Sequence, residues 1–341
     1  MDNSLLKQIL HEYELKRNKA TIEAELRKKE LLSVNPRLAE IEDELSSVSL
    51  KMAKSILIAD AKEKHKLLND LKKQTTSLIK EKNAFLKTIC KDSNYLNPHF
   101  ECKMCKDTGY IIKDNITSMC TCLKQRIYDI AYNKSNMGNL EQENFSTFNI
   151  KMFSDKPNKE FYKSELSPRQ NINIIREKVE NFINNFDDPC EKNLLFTGNT
   201  GLGKTFLTNC IASEMLKKGK TVLYQTAPVM LDSIIDAKFG KENAKFDLLD
   251  NILNVDLLII DDLGTETPNN HKITELFSII NTRLLNQNHK ITKTIISTNL
   301  TVEEINKTYT NRISSRIVGS YTLLRFFGED LRFKKMKKEK I

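Results

Sequence analysis

Two stretches of this chain carry the residue types that handle phosphate. In Gly198-Asn199-Thr200-Gly201-Leu202-Gly203-Lys204-Thr205, three spaced glycines are followed at once by a lysine and a hydroxyl. Glycines let backbone N–H groups close around an anion, and the helix that follows adds its positive N-terminal end. At this spacing Lys204 reaches the β- and γ-phosphates and Thr205 offers its hydroxyl to Mg²⁺. The second stretch, Asp256-Leu257-Leu258-Ile259-Ile260-Asp261-Asp262-Leu263-Gly264, closes an apolar run with two carboxylates. Asp261 is placed to hold the metal, directly or through water, and Asp262 to orient or deprotonate the attacking water. Either pattern alone also describes a turn. In this order, the two predict a nucleotide site.

Three further groups have chemical potential. Asn299 closes the run Lys293-Thr294-Ile295-Ile296-Ser297-Thr298-Asn299, from where its amide could hold water or the γ-phosphate. Arg312 and Arg316 stand four apart in Asn311-Arg312-Ile313-Ser314-Ser315-Arg316-Ile317, on one face of a helix if one forms. An arginine that completes a neighbouring subunit's site needs such an exposed position. Cys102-Lys103-Met104-Cys105 and Cys120-Thr121-Cys122 form two close pairs around a short loop, which suits a tetrahedral Cys₄ zinc site. A redox role is the rival, but no βαβ unit surrounds the first pair. Cys90, Cys190 and Cys210 are isolated and read as ordinary thiols.

The elements that must position these residues follow from the hydrophobic pattern. Strands are predicted at 193–197, 221–225, 257–260 and 293–299, and helices at 171–186, 206–216, 229–238 and 273–286. Strands alternating with helices give an α/β fold whose parallel sheet is flanked by helices. Residues 4 to about 90 are polar and almost free of glycine and proline. Leu38, Ile41, Leu45, Val48 and Met52 make a coiled-coil seam, and Leu68, Leu71, Thr75, Leu78 and Phe85 largely continue it. Pro36, after Asn35, should part a first helix from a second. An antiparallel helical hairpin and a dimerising coiled coil fit this pattern equally; a docking arm for a partner is slightly favoured over a helical spacer. The organisation is an arm at 1–97, a Cys₄ zinc module at 98–126, a linker at 127–168 and an ATPase domain with a basic tail at 169–341. The linker's Phe145, Phe148, Phe153, Phe161 and Tyr162 are expected to anchor it to the next domain rather than to bind bases.

The 341 residues carry a formal charge of +9, much of it in the terminus Lys334-Lys335-Met336-Lys337-Lys338-Glu339-Lys340. That excess is compatible with nucleic acid without establishing it. No apolar run reaches the roughly 18 residues that span a bilayer, and Met1-Asp2-Asn3-Ser4 lacks a secretion signal's basic and apolar regions. A cytoplasmic location with reduced cysteines is expected.

From about residue 98 onward the chain resembles the AAA+ ATPases, and more closely the bacterial replicative-helicase loaders of the DnaC/DnaI type. The resemblance rests on Cys102 to Tyr110, Cys120-Thr121-Cys122-Leu123, Ser167-Pro168-Arg169 and the phosphate loop. It rests also on Leu258 to Gly264, Ser297-Thr298-Asn299, Arg312 to Arg316 and Gly328-Glu329-Asp330-Leu331-Arg332. It implies slow, partner-stimulated ATP hydrolysis coupled to assembly on a hexameric DNA helicase and delivery to single-stranded DNA. By resemblance Asp262 is the catalytic acid, Asn299 the sensor, and Arg316, with Arg312 as second choice, the finger acting in trans between self-associated copies. Phe239, beside Lys238, looks similar to an aromatic that such loaders place on DNA. The chain departs from most AAA+ enzymes in using Asp262 rather than Glu, and too little follows Arg316 for a full helical lid, so the pocket should be partly open. Two other functions share these motifs: a transposition helper of the insertion-sequence type on duplex DNA, and a zinc and coiled-coil scaffold that does not hydrolyse ATP.

Overall fold

Pro36 divides the N-terminal helices as its missing N–H requires. In the computed structural model, α1 (Asn3–Val34) stops one residue before it and α2 (Pro36–Ile58) starts on it. Asn35 bridges the junction: its carbonyl accepts from Leu38 and Ala39, and its amide donates to Leu31. The structure describes residues 3–58, 61–90, 94–130, 142–239, 245–267, 269–286 and 290–333, without the side chains of 3–5, 53–58, 61–68, 90, 239 and 245–247. The chain divides into two compact units, Lys7–Ser118 and one built mainly on Met119–Ile341.

In the first unit, α2 packs on α3 (Ala61–Cys90) through buried Ile41, Val48, Leu71 and Leu78, flanked by Leu45 and Met52. Arg37 near the start of α2 meets Glu81 near the end of α3 at 2.7 Å, and Glu42 meets Lys82. The pair is therefore antiparallel, which favours the intramolecular hairpin of the two arrangements expected. Burial pushes the Glu42 carboxyl up, but Lys28 and Lys82 outweigh it and hold the group below the usual carboxylate range. Phe85 is only half-buried, and its neighbour Leu86 takes the core position. The side chain of Leu68 lies outside the described residues. A hairpin of β1 (Tyr110–Lys113) and β2 (Ile116–Met119) follows, turned by Asp114 and Asn115 at φ 51° and 62°, the left-handed pair a tight hairpin requires. Its strands are too short for periodicity to have announced them.

The second unit opens with α4 (Thr121–Tyr128) and the single turn α5 (Lys159–Tyr162). Next comes α6 (Pro168–Asn184), which starts earlier than the apolar pattern suggested because Ser167 and Gln170 form a capping box with Pro168 in the first turn. Strand and helix then alternate: β3 (Asn193–Thr197), α7 (Lys204–Lys217), β4 (Val222–Thr226) and α8 (Ala227–Phe239). They continue through α9 (Lys245–Asn254), β5 (Leu257–Leu263), α10 (Asn270–Asn286) and β6 (Lys293–Thr298) to α11 (Val302–Thr308), α12 (Asn311–Ser320) and β7 (Tyr321–Arg325). All five strands are parallel, in the order β4-β5-β6-β3-β7. The fold is thus the α/β parallel sheet flanked by helices that the alternation predicted.

The apolar run of β5 shows why. Leu258, Ile260 and Leu263 enter the core beneath α8, α10 and α12, while Leu257 and Ile259 enter the opposite core against α6 and α7. Successive side chains point to opposite faces, so a strand covered on both sides must be apolar throughout. Arg283 on α10 is 1% exposed yet fully engaged. It donates to the carbonyls of Ile252, Leu253, Val255 and Lys293 and to the Thr294 hydroxyl, clamping the entry to β5 onto β6. Among the described residues, no helix is long and apolar enough to cross a membrane.

Candidate functional site

The carboxyl ends of β3, β5 and β6 meet where neighbouring crossovers part, the place where open α/β sheets form ligand crevices. The loop after β3 approaches the chain following β7 so closely that a Cβ on Gly198 would lie 2.2 Å from the Phe326 carbonyl oxygen. With φ at 137°, that position also suits glycine alone. Lys204 opens α7 and folds its side chain back into the loop. Its Nζ donates to the carbonyls of Gly198 (2.5 Å) and Asn199 (2.8 Å) and to Oδ1 of Asn299 (2.8 Å). Burial pushes the ammonium's pKa down to about 8, against the pull of Asp261 and Asp262. A triphosphate there would replace carbonyl partners with full negative charge.

Opposite Lys204 stand the two carboxylates. Asp261 is 3% exposed. Its Oδ2 accepts from the Tyr224 hydroxyl at 2.6 Å and the Thr205 hydroxyl at 3.2 Å, and its Oδ1 from the Asp262 amide at 3.0 Å. Thr205 and Asp261 together make the hard oxygen pair that suits Mg²⁺. The pairing of β5 with β6 shifts register between Ile260 and Leu263, and Asp262 takes φ 53° within that irregularity. Bulges of this kind re-aim side chains beside functional sites. Burial raises the Asp262 pKa, as does Asp261, against Lys204 and Arg332. A carboxyl so displaced is better matched to taking a proton than an ordinary surface aspartate.

Lys204, Thr205, Asp262 and Asn299 line a cavity of about 840 Å³ whose other wall is the segment before α6: Glu143, Phe148, Asn149, Met152 and Phe153. The expected aromatic anchoring holds in part. Phe153 and Tyr162 are buried and Phe145 and Phe148 pack on the core, whereas Phe161 stays 74% exposed. The segment is thus more than a linker, because it shapes the pocket. The chain after β7 forms a second unexpected wall. The Leu331 amide donates to the Gly201 carbonyl at 2.9 Å, and Asp330 occupies the space a Gly201 Cβ would need. Leu331 and Arg332 then reach the cavity. A short strap stands where a helical lid was not expected. No local signal gives Arg332 or Tyr224 a role, since only the fold brings Tyr224 to Asp261 and Arg332 to the cavity that Asp262 lines.

The remaining predicted residues fall elsewhere. Arg312 and Arg316 are exposed on α12, whose Ile313, Ser314 and Ile317 face inward, and neither lines this chain's cavity. Lys238 pairs with Glu275 at 2.5 Å, and the side chain of Phe239 lies outside the described residues. The sulfurs of Cys102, Cys105, Cys120 and Cys122 lie within 4.8 Å of one another. Asp107 supports the first pair, accepting from the amides of Glu101 and Cys102 at 2.9 and 2.8 Å. Four thiols converging in this way are the donor set of a structural zinc site.

Comparison with known proteins adds to this geometry. The sequence model of the IstB-like ATP binding proteins matches residues 165–338. The replicative helicase loader DnaC of Escherichia coli K12 is 27% identical over 192 residues, covering 56% of this chain and 75% of that protein. An ATP-binding protein of insertion sequence IS1162 from Pseudomonas fluorescens is 30% identical over 95 residues, covering 27% of this chain and 38% of its own. Among solved structures, the DnaC helicase loader superposes with a TM-score of 0.42 at 22% identity, over 56% of this chain and 99% of that one. AMPPCP-bound DnaA from Aquifex aeolicus gives 0.42 at 23% identity, over 50% of this chain and about half (51%) of that one.

Proposed function

This chain belongs to the family of IstB-like ATP binding proteins, and on that premise we propose that it is an ATP-dependent loader of a replicative DNA helicase. The observation that carries the ATPase half is the bonding of Lys204. One buried ammonium touches the loop carbonyls and Asn299 while facing Asp261 and Asp262. In this reading the loop amides of Gly198 to Thr205, with Lys204, grip the β- and γ-phosphates. Thr205 and Asp261 hold Mg²⁺, which when bound neutralises charge on the transferring phosphate. Asp262 takes the proton of the attacking water, and Asn299 orients that water or the γ-phosphate. Arg332 adds positive charge from the same chain. Arg316, or else Arg312, supplies it from a neighbouring copy, consistent with their exposure on α12. Hydrolysis is slow until partners assemble the site, and the nucleotide switches the protein by binding two states unequally.

The helicase half rests on similarity to DnaC loaders together with the cysteine cluster, held by zinc, and the N-terminal helices as the docking arm. Single-stranded DNA is the second macromolecular ligand, with Lys238 and Phe239 as contacts. The test is capture of the replicative helicase from lysate on the full chain with ATP present. Retention by the wild type, loss in Lys204→Ala, and retention without ATP turnover in Asp262→Asn are expected. Wild-type protein that binds ATP yet captures no helicase would overturn the loader reading. The insertion-sequence relative supports a second reading, assembly on duplex DNA, which a preference for duplex over single strands would favour.

A further inference from the structure

Tyr224 on β4 carries a hydroxyl that packing alone does not call for. The residue is 1% exposed, in the core that also holds Phe196, Leu207 and Ile259. A phenylalanine would fill that core as well, and a buried hydroxyl costs free energy unless it is bonded. The register of the sheet shows where the hydroxyl goes. Tyr224 stands opposite Ile259, and Asp261 stands opposite Thr226, two residues further along both strands. A parallel strand rises about 3.3 Å per residue, so the carboxylate lies about 6.6 Å ahead. A tyrosine hydroxyl spans that distance, whereas a serine or threonine hydroxyl at the same position does not. The contact is made at 2.6 Å, with the hydroxyl donating to Oδ2 of Asp261.

We infer that Tyr224 is a positioning residue for Mg²⁺: its hydroxyl fixes the rotation of the Asp261 carboxylate and so sets how tightly the nucleotide-bound site takes the cation. The inference rests on the nucleotide reading of the cavity. An ionised carboxylate offers about four lone-pair sites. On Asp261 the Tyr224 and Thr205 hydroxyls donate to Oδ2, and the Asp262 amide donates to Oδ1. That leaves one site for a cation or a water bound to it. Tyr224 and the Asp262 amide pin the two oxygens separately, one from β4 and one from β5, against swinging about the Cβ–Cγ bond. Thr205 cannot substitute, because its own oxygen is the one offered to the cation. Removing a group that orients a metal ligand in this way typically lowers metal affinity by about 10–100-fold. A hydroxyl that merely satisfied itself on the nearest acceptor would leave that affinity unmoved.

The experiment measures the ATP affinity of the full chain twice, with Mg²⁺ in excess and with Mg²⁺ omitted, by displacement of a fluorescent nucleotide. No chelator is added, since it would strip the cysteine cluster. By linkage, the ratio of the two affinities is the cation affinity of protein-bound ATP over that of free ATP, and the latter is common to every variant. In Tyr224→Phe the ratio should fall about tenfold or more, while affinity without Mg²⁺ stays within about twofold of wild type. If that variant does not fold, Tyr224→4-fluorophenylalanine, which fills the space of the hydroxyl without a donor, carries the test. An unchanged ratio, or an equal loss with and without Mg²⁺, overturns the role of Tyr224 and leaves the nucleotide site standing. Wild-type protein that binds no ATP under either condition overturns the nucleotide reading itself.

Discussion

The sheet unit and the helical arm are stabilised to very different depths. In β5, Leu257 through Ile260 are all 0% exposed, held between two separate cores. In the arm, the contact between α2 and α3 rests on four buried side chains, and Leu15, Ile22, Leu26 and Leu50 remain more than half exposed. Burial on two faces fixes register, because a one-residue slip would exchange the cores. That is what holds Asp261 and Asp262 to a defined place opposite Lys204. A single seam fixes only which stripe faces inward. The arm is built to present surface, the sheet to hold geometry.

The largest effect expected from this contrast is at Arg283. Arg283→Met strips four carbonyls and a hydroxyl of their donor, and should destabilise the sheet unit by about 2–4 kcal/mol. Calorimetry should then resolve loss of the sheet transition with arm helicity retained; a single unchanged transition would refute the separation. A smaller effect follows from Lys204, whose pKa sits near 8. Below pH 8 the ammonium is already charged. Above it, binding a triphosphate must also take up a proton, so ATP affinity should fall by up to about tenfold per pH unit. Affinity that is flat between pH 7 and 9.5 would contradict this, while arm helicity should ignore the same change. Smallest is Val48→Ala, removing methyls from the α2–α3 seam, for about 1–2 kcal/mol. It should lower the arm's melting temperature and leave ATP affinity untouched.

How much could be read beforehand divides along physical lines. The phosphate loop, the β5 run and Asn299 were legible because local backbone geometry and two-sided burial each demand particular residue types in a row. The break at Pro36 was legible for the same reason. Arg332 and Glu143 were not, since each reaches the cavity only because distant chain returns to it: Leu331 to Gly201, and Glu143 to Asn209. The strand β7, with half-buried Thr322 and exposed Leu323, pairs on one side alone and carries no unbroken apolar run. Phe153 and Phe161 look alike in sequence, yet one is 5% and the other 74% exposed. Nothing local distinguishes them.

The strand order has a consequence for synthesis. Leu195, near the middle of β3, is bonded between Ile296 and Leu323, both translated long after it. The first strand of this sheet therefore waits unpaired on both edges while helices α1 to α3, translated before it, can already form. Parallel pairing across such separations is slow and leaves sticky edges uncovered in the meantime. A ribosome stalled within the last strand would release a chain with a finished arm and an open, aggregation-prone sheet.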